Sequence, residues 1–129
     1  MAIPAEQGLV KQFTATLPAG STDPVTISYS VPGGIGDVDL SPQIQGQGVA
    51  IFVDNPADTQ VSVDVYTTVT IYGESYKAFV GSFTVGANAE GGMVTGFGVI
   101  KKGLEIQVTP ATEPGAAADV VIAVVPSNG

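Results

Sequence analysis

The stretch VSVDVYTTVTIY, Val61 to Tyr72, decides the fold class. Val61, Val63, Val65, Val69 and Ile71 fall on one parity, and Ser62, Asp64, Tyr66, Thr68, Thr70 and Tyr72 on the other. A period of two puts alternate side chains on opposite faces of a strand, whereas a helix groups positions three and four apart. The β-branched residues that dominate it pack well on a pleated surface. The stretch predicts a long strand with one face on a core and one polar face, long enough to bend midway or pass between two sheets.

The same pattern extends in both directions. Leu9, Lys11, Phe13, Ala15 and Leu17 alternate with Val10, Gln12, Thr14 and Thr16, and Val25, Ile27, Tyr29 and Val31 with Thr26, Ser28 and Ser30. Leu104, Ile106 and Val108 alternate with Glu105, Gln107 and Thr109. VAIFV (Val49 to Val53) and VVIAVV (Val120 to Val125) are apolar on both parities and read as central strands. Tyr76 to Val85 places Phe79, Phe83 and Val85 in one register, and Val94 to Ile100 reads as a weak, glycine-rich strand.

Turn chemistry separates these runs. Asp54-Asn55-Pro56-Ala57-Asp58 is rich in Asx and Pro turn formers. Tyr72-Gly73-Glu74-Ser75 suits a tight hairpin, with Gly73 supplying a positive φ. Gly86 to Gly98 reads as a flexible loop, Lys101-Lys102-Gly103 as the close of another hairpin, and Pro110 to Ala118 as a longer connection. Eight or nine strands and no helix result. The expectation is one all-β domain over residues 1–129, an antiparallel β-sandwich of jelly-roll or immunoglobulin-like topology. Residues 1–8 are a candidate N-terminal arm, and the tail at 126–129 is expected to fray.

Composition narrows the function. The chain has no Cys and no His, which removes the usual zinc and iron ligands and His-based triads. Four Lys and no Arg stand against twelve Asp and Glu, a net charge of −8. Phosphate backbones and anionic membranes are bound through Lys and Arg, so neither nucleic acid nor a membrane is an expected partner. Only 12% of residues are charged while 44% are hydrophobic, so much of the surface is small and polar or is covered by another protein. The start MAIPAEQG lacks the basic and apolar regions of a signal peptide.

No constellation points to catalysis. Ser and Thr are plentiful, but no base accompanies them, and the reading is of a non-enzyme without cofactor. Asp37 and Asp39 in GDVDL, with Asp54 and Asp58 around a turn, form a weak alternative site for Ca²⁺, without the spacing of a calcium loop. The glycine-rich segment lacks the Lys-Ser/Thr of a phosphate loop. Tyr66 and Tyr72 on the polar strand face, and Tyr76 across the hairpin, are candidate partner contacts. Gly91 and Gly92, in a loop that a partner can order, and the basic pair Lys101 and Lys102 join that set.

From Gly48 to Pro126, VAIFVDNPAD leads into VSVDVYTTVTIYG, then YKAFVGSFTV, a glycine-rich loop, LEIQVTP and VVIAVVP. In this order of elements the chain resembles the capsid decoration, or cement, proteins of tailed bacteriophages. The resemblance implies a small Cys-free sandwich or jelly roll on the outer surface of a virion. It implies binding to the major capsid protein, stabilisation of the shell, and self-association as dimers or trimers. A carbohydrate- or surface-binding sandwich, or a tail or baseplate component, stands as the alternative.

Overall fold

A computed structural model of the chain describes residues 11–30, 48–95 and 103–127. They form eight strands: β1 (Lys11–Leu17), β2 (Val25–Ser30), β3 (Gly48–Asn55), β4 (Val61–Ile71), β5 (Glu74–Val85), β6 (Ala89–Val94), β7 (Gly103–Pro110) and β8 (Ala118–Ser127). All pairings are antiparallel, in two four-stranded sheets of order β1-β8-β3-β6 and β2-β7-β4-β5.

The two orders are those of a jelly roll. β1 lies beside β8, β2 beside β7, β3 beside β6 and β4 beside β5. The eight strands form one long hairpin folded at the β4–β5 turn, each strand of one arm paired with its counterpart in the other and the whole rolled into two sheets. Only β4 and β5 are consecutive strands within one sheet; every other connection crosses between sheets. This settles the topology left open by the strand pattern, because an immunoglobulin-like sandwich pairs its strands differently.

The core between the sheets is aliphatic. Val61, Val63 and Val65 of β4 face Ile51, Val53, Ile122 and Val124 of the other sheet, all essentially inaccessible to solvent. Each buried Val or Ile contributes roughly 1.5–3 kcal/mol relative to exposure. The alternation of β4 holds as expected from Val61 to Thr67, which is buried. Ile71 departs from it: expected on the core side, it is half exposed, because the ribbon has run past the end of the core.

β5 departs in a more informative way. Gly81 pairs with Val65 but Phe79 pairs with Tyr66, so Val80 is an extra residue. This β-bulge inverts the facing of everything before it. Phe83 and Val85 turn inward as expected, while Phe79 is turned out and 61% exposed.

Three further expectations have mixed outcomes. The segment read as a loop contains β6, held by β3 from Ala89 to Val94. Lys101-Lys102, read with Gly103 as the close of a hairpin, lie outside the described residues, as does most of the weak strand read at Val94 to Ile100. Pro126 and Ser127, at the start of the tail expected to fray, are paired with Val49 and Gly48, and residues 128–129 lie outside the described residues. The candidate arm at 1–8, Asp37, Asp39, Lys101 and Lys102 lie outside the described residues.

One end of the sandwich is stitched by side chains. The Asn55 amide donates to the carbonyls of Thr59 (2.9 Å), Gly86 (2.9 Å) and Val85 (3.4 Å), and its oxygen accepts from Ala57 N–H (3.0 Å). It is wholly buried, and it ties the β3–β4 loop to the β5–β6 turn. The Asn88 N–H adds a bond to the Ala57 carbonyl at 3.0 Å. The Thr59 and Thr112 hydroxyls meet at 2.7 Å, and Gly20 N–H reaches the Pro114 carbonyl at 3.0 Å, drawing in the β7–β8 and β1–β2 loops.

Candidate functional site

The outer face of the β1-β8-β3-β6 sheet holds an open depression of about 560 Å³. Its origin lies in the register. One row across the sheet reads Thr14, Val121, Asp54, Glu90, and the next reads Gln12, Ala123, Phe52, Gly92. Ala123 and Gly92 are the small members of the second row, and they leave space on both sides of Phe52. That ring is 56% exposed and stands on the face opposite to its core neighbours Ile51 and Val53.

Gly92 is required here. A Cβ at this position would collide with the Ile51 carbonyl oxygen and press on the Phe52 ring. The strand pairing and the aromatic floor thus both depend on its lacking a side chain.

Asp54 and Glu90 are directly opposite across β3 and β6. Directly opposed residues in an antiparallel pair have Cβ atoms about 5 Å apart, and like charges there repel. Neither carboxylate has an ion pair or hydrogen bond among the described residues. The depression therefore combines an apolar floor of Phe52, Val121 and Ala123 with an uncompensated negative edge.

The outer face of the opposite sheet carries a different group. Tyr66 and Phe79 pack edge to face, centroids 5.6 Å apart at 65°. The Lys77 ammonium lies 4.6 Å over the Tyr66 ring and 2.9 Å from the Glu105 carboxylate. The hydrogen bond to Glu105 holds the lysine above its ordinary value of 10.5, opposed by partial desolvation and assisted by the charge of Glu105. Exposed pairs of this kind contribute little to stability.

The candidate contact residues are thus distributed over the molecule. Tyr66 is on the outer face as expected, half-buried beneath Lys77 and Phe79. Tyr72 is not on the strand but in the β4–β5 turn, fully exposed, with φ of 52°. Tyr76 shares the core-side parity of the ribbon beyond the end of the core, 49% exposed, its hydroxyl donating to Glu74 at 3.2 Å. Gly91 and Gly92 both line the depression on the other sheet, though an added Cβ at Gly91 would point inward at Val85. The tyrosines and the glycines do not form one site.

Of the weak calcium alternative, Asp54 belongs to the depression, while Asp58 accepts the Gly115 N–H at 3.1 and 3.2 Å through its two oxygens. Among the described residues no group of three or more carboxylates is placed to hold a metal ion. Sequence reasoning missed Phe52 and Glu90. The available signal was parity: Phe52 falls between Ile51 and Val53, so a strand with an apolar core face must carry it outside.

No protein-family model matches the chain, and no curated protein matches it in sequence. Solved structures do match in fold. A mitogen derived from Yersinia pseudotuberculosis is 5% identical, with 93% of this chain and 87% of that chain covered, at a TM-score of 0.55. PirA is 9% identical, with 92% and 94% covered, at a TM-score of 0.50. Two carbohydrate-binding modules and Cowpea mosaic virus top component also match, 13 to 16% identical. They cover 87 to 90% of this chain and 71 to 80% of their own, at TM-scores of 0.41 to 0.46. At such identities the likeness is one of fold.

Proposed function

We propose that the chain is a non-enzymatic structural protein of a virus particle, which decorates and stabilises a capsid by binding its outer surface and itself. The observation that carries this reading is exposed apolar surface on both outer faces of one small sandwich. Phe52 and Val94 stand out on one sheet, 56% and 64% exposed, and Phe79 on the other, 61% exposed. A subunit that staples neighbours together needs two such faces, and aromatic anchors commonly carry interface energy. The net charge of −8 suits a position outside the shell, away from packaged nucleic acid.

The test is sedimentation. The chain, followed by antibody through a density gradient of a native lysate, is expected to travel with virus-sized particles at high copy number. Low copy number on particles would favour a tail or baseplate position. Absence from particles would sink the reading.

A second reading has its own observation. The depression sets the Phe52 ring beside Gln12, Asp54 and Glu90, a mixture of aromatic face and hydrogen-bonding groups that suits a sugar. Titration of the chain with a panel of oligosaccharides by calorimetry tests it.

A further inference from the structure

We propose that the depression over Phe52 is the seat of a basic, extended segment of the partner protein, with a Lys or Arg of that segment between Asp54 and Glu90. The inference rests on the reading of the chain as a subunit that binds other proteins, and it assigns the face and the chemistry of that contact.

Three features of the site select the occupant. The floor is apolar, with Phe52 exposed and Val121 and Ala123 beside it, so burial of aliphatic stems is favourable. The edge is a directly opposed carboxylate pair without a cationic partner among the described residues. A guanidinium or ammonium between the two relieves their repulsion and gains charge-assisted hydrogen bonds. Its methylene stem lies along the apolar floor.

β6 supplies the third feature. It is the outermost strand of its sheet among the described residues and carries no Lys or Pro to blunt its edge. An extended chain can add beside it. Such a strand would place a basic residue beside Glu90, its long side chain reaching back over the sheet to the Asp54–Glu90 pair, and apolar residues beside Gly92 and Val94, the first of them over the space that Gly92 leaves next to Phe52.

A second copy of this chain is the poorer occupant of this face. Each copy carries a net charge of −8, and Lys77, one of only four lysines, is engaged by Glu105. Self-association is left to the opposite sheet, where Tyr66 and Phe79 stand.

The experiment is a nuclear magnetic resonance titration of the isotopically labelled chain. The probe is an acetylated, amidated peptide in which one Lys is followed at every second position by Val, with Thr between them; the controls are its Glu-for-Lys counterpart and a neutral cello-oligosaccharide. Saturable shifts of the Asp54, Glu90 and Gly92 amides with the Lys peptide alone are expected. Binding should weaken roughly tenfold or more in the Asp54→Asn, Glu90→Gln double variant, which removes a repulsion and so keeps its fold.

Equal binding of the Glu peptide would overturn the charge assignment. Shifts with the oligosaccharide at the same amides would make this a sugar site. Concentration-dependent shifts without any addition would give the face to a second copy. No shift with any probe would overturn the proposal outright. Sedimentation with particles reads out separately, so a decoration protein that docks through another face is told apart from a chain that binds no particle.

Discussion

Asn55 and Tyr72 show how single residues set local geometry. Asn55 makes four hydrogen bonds from full burial, and removing its amide strands the carbonyls of two loops at once. Asn55→Ala is expected to cost about 2–4 kcal/mol in chemical denaturation. Tyr72 and Gly73 both have positive φ, 52° and 82°, as a two-residue hairpin loop of type I′ requires. Tyrosine is poorly suited to that conformation and Asn tolerates it well. Tyr72→Asn is expected to raise stability by roughly 0.5 kcal/mol. If Tyr72 touches the shell, the same variant loses particle occupancy while gaining stability, a combination that misfolding cannot produce.

The turn and the loop Asn differ in how far sequence alone reveals them. The hairpin is local, and its glycine marks it. The role of Asn55 depends on Gly86, 31 positions away, so it reads only as one turn former among others.

Lys77 adds a pH dependence. Its value is raised in the folded protein by Glu105, so its contribution is complete below the ordinary lysine value of 10.5 and disappears as the pH rises through the folded value. Wild type and Lys77→Met are expected to differ in stability up to about that pH and to converge above it. A stability difference that persists at higher pH would place the effect of Lys77 in packing over Tyr66.

At the scale of elements, strand existence was legible and strand facing was not always so. Period-two patterns located β1, β2, β4 and β7, because those strands have one polar face. β6 escaped notice since AEGGMV has weak strand propensity; cross-strand partners in β3 supply what its own residues lack. The β5 bulge was invisible because Val80 is chemically ordinary, and its status as the extra residue exists only against β4.

The close fit of β3 and β6 yields a further prediction. Gly92→Ala drives a Cβ into the Ile51 carbonyl, so the backbone must shift, and a loss of about 1–3 kcal/mol is expected. Hydrogen exchange should quicken first in β6 and the adjoining part of β3. A loss spread evenly over both sheets would count against this account.

The whole molecule is held by a modest aliphatic core under a strongly acidic exterior. Like charges repel most in the compact state, so screening should favour folding. The melting temperature is expected to rise with added sodium chloride up to roughly 0.5 M, where the screening length falls to a few ångströms. The Asp54→Asn, Glu90→Gln double variant should show a smaller rise, having lost one repulsive pair.

Composition and periodicity by themselves determined that this chain is all-β, that its core is made of Val, Ile and Leu on one parity, and that the His and Cys of zinc sites are missing and basic residues are few. These are properties of residue type and near-neighbour spacing, and each segment carries its own copy of the signal. The tertiary structure alone decided the jelly-roll order, the outward turn of Phe79, and the meeting of Phe52, Asp54, Glu90 and Gly92 on one face. Those depend on which strand lies beside which and in what register. Pairing between distant strands is fixed by the closing of the whole core, and no single segment records it.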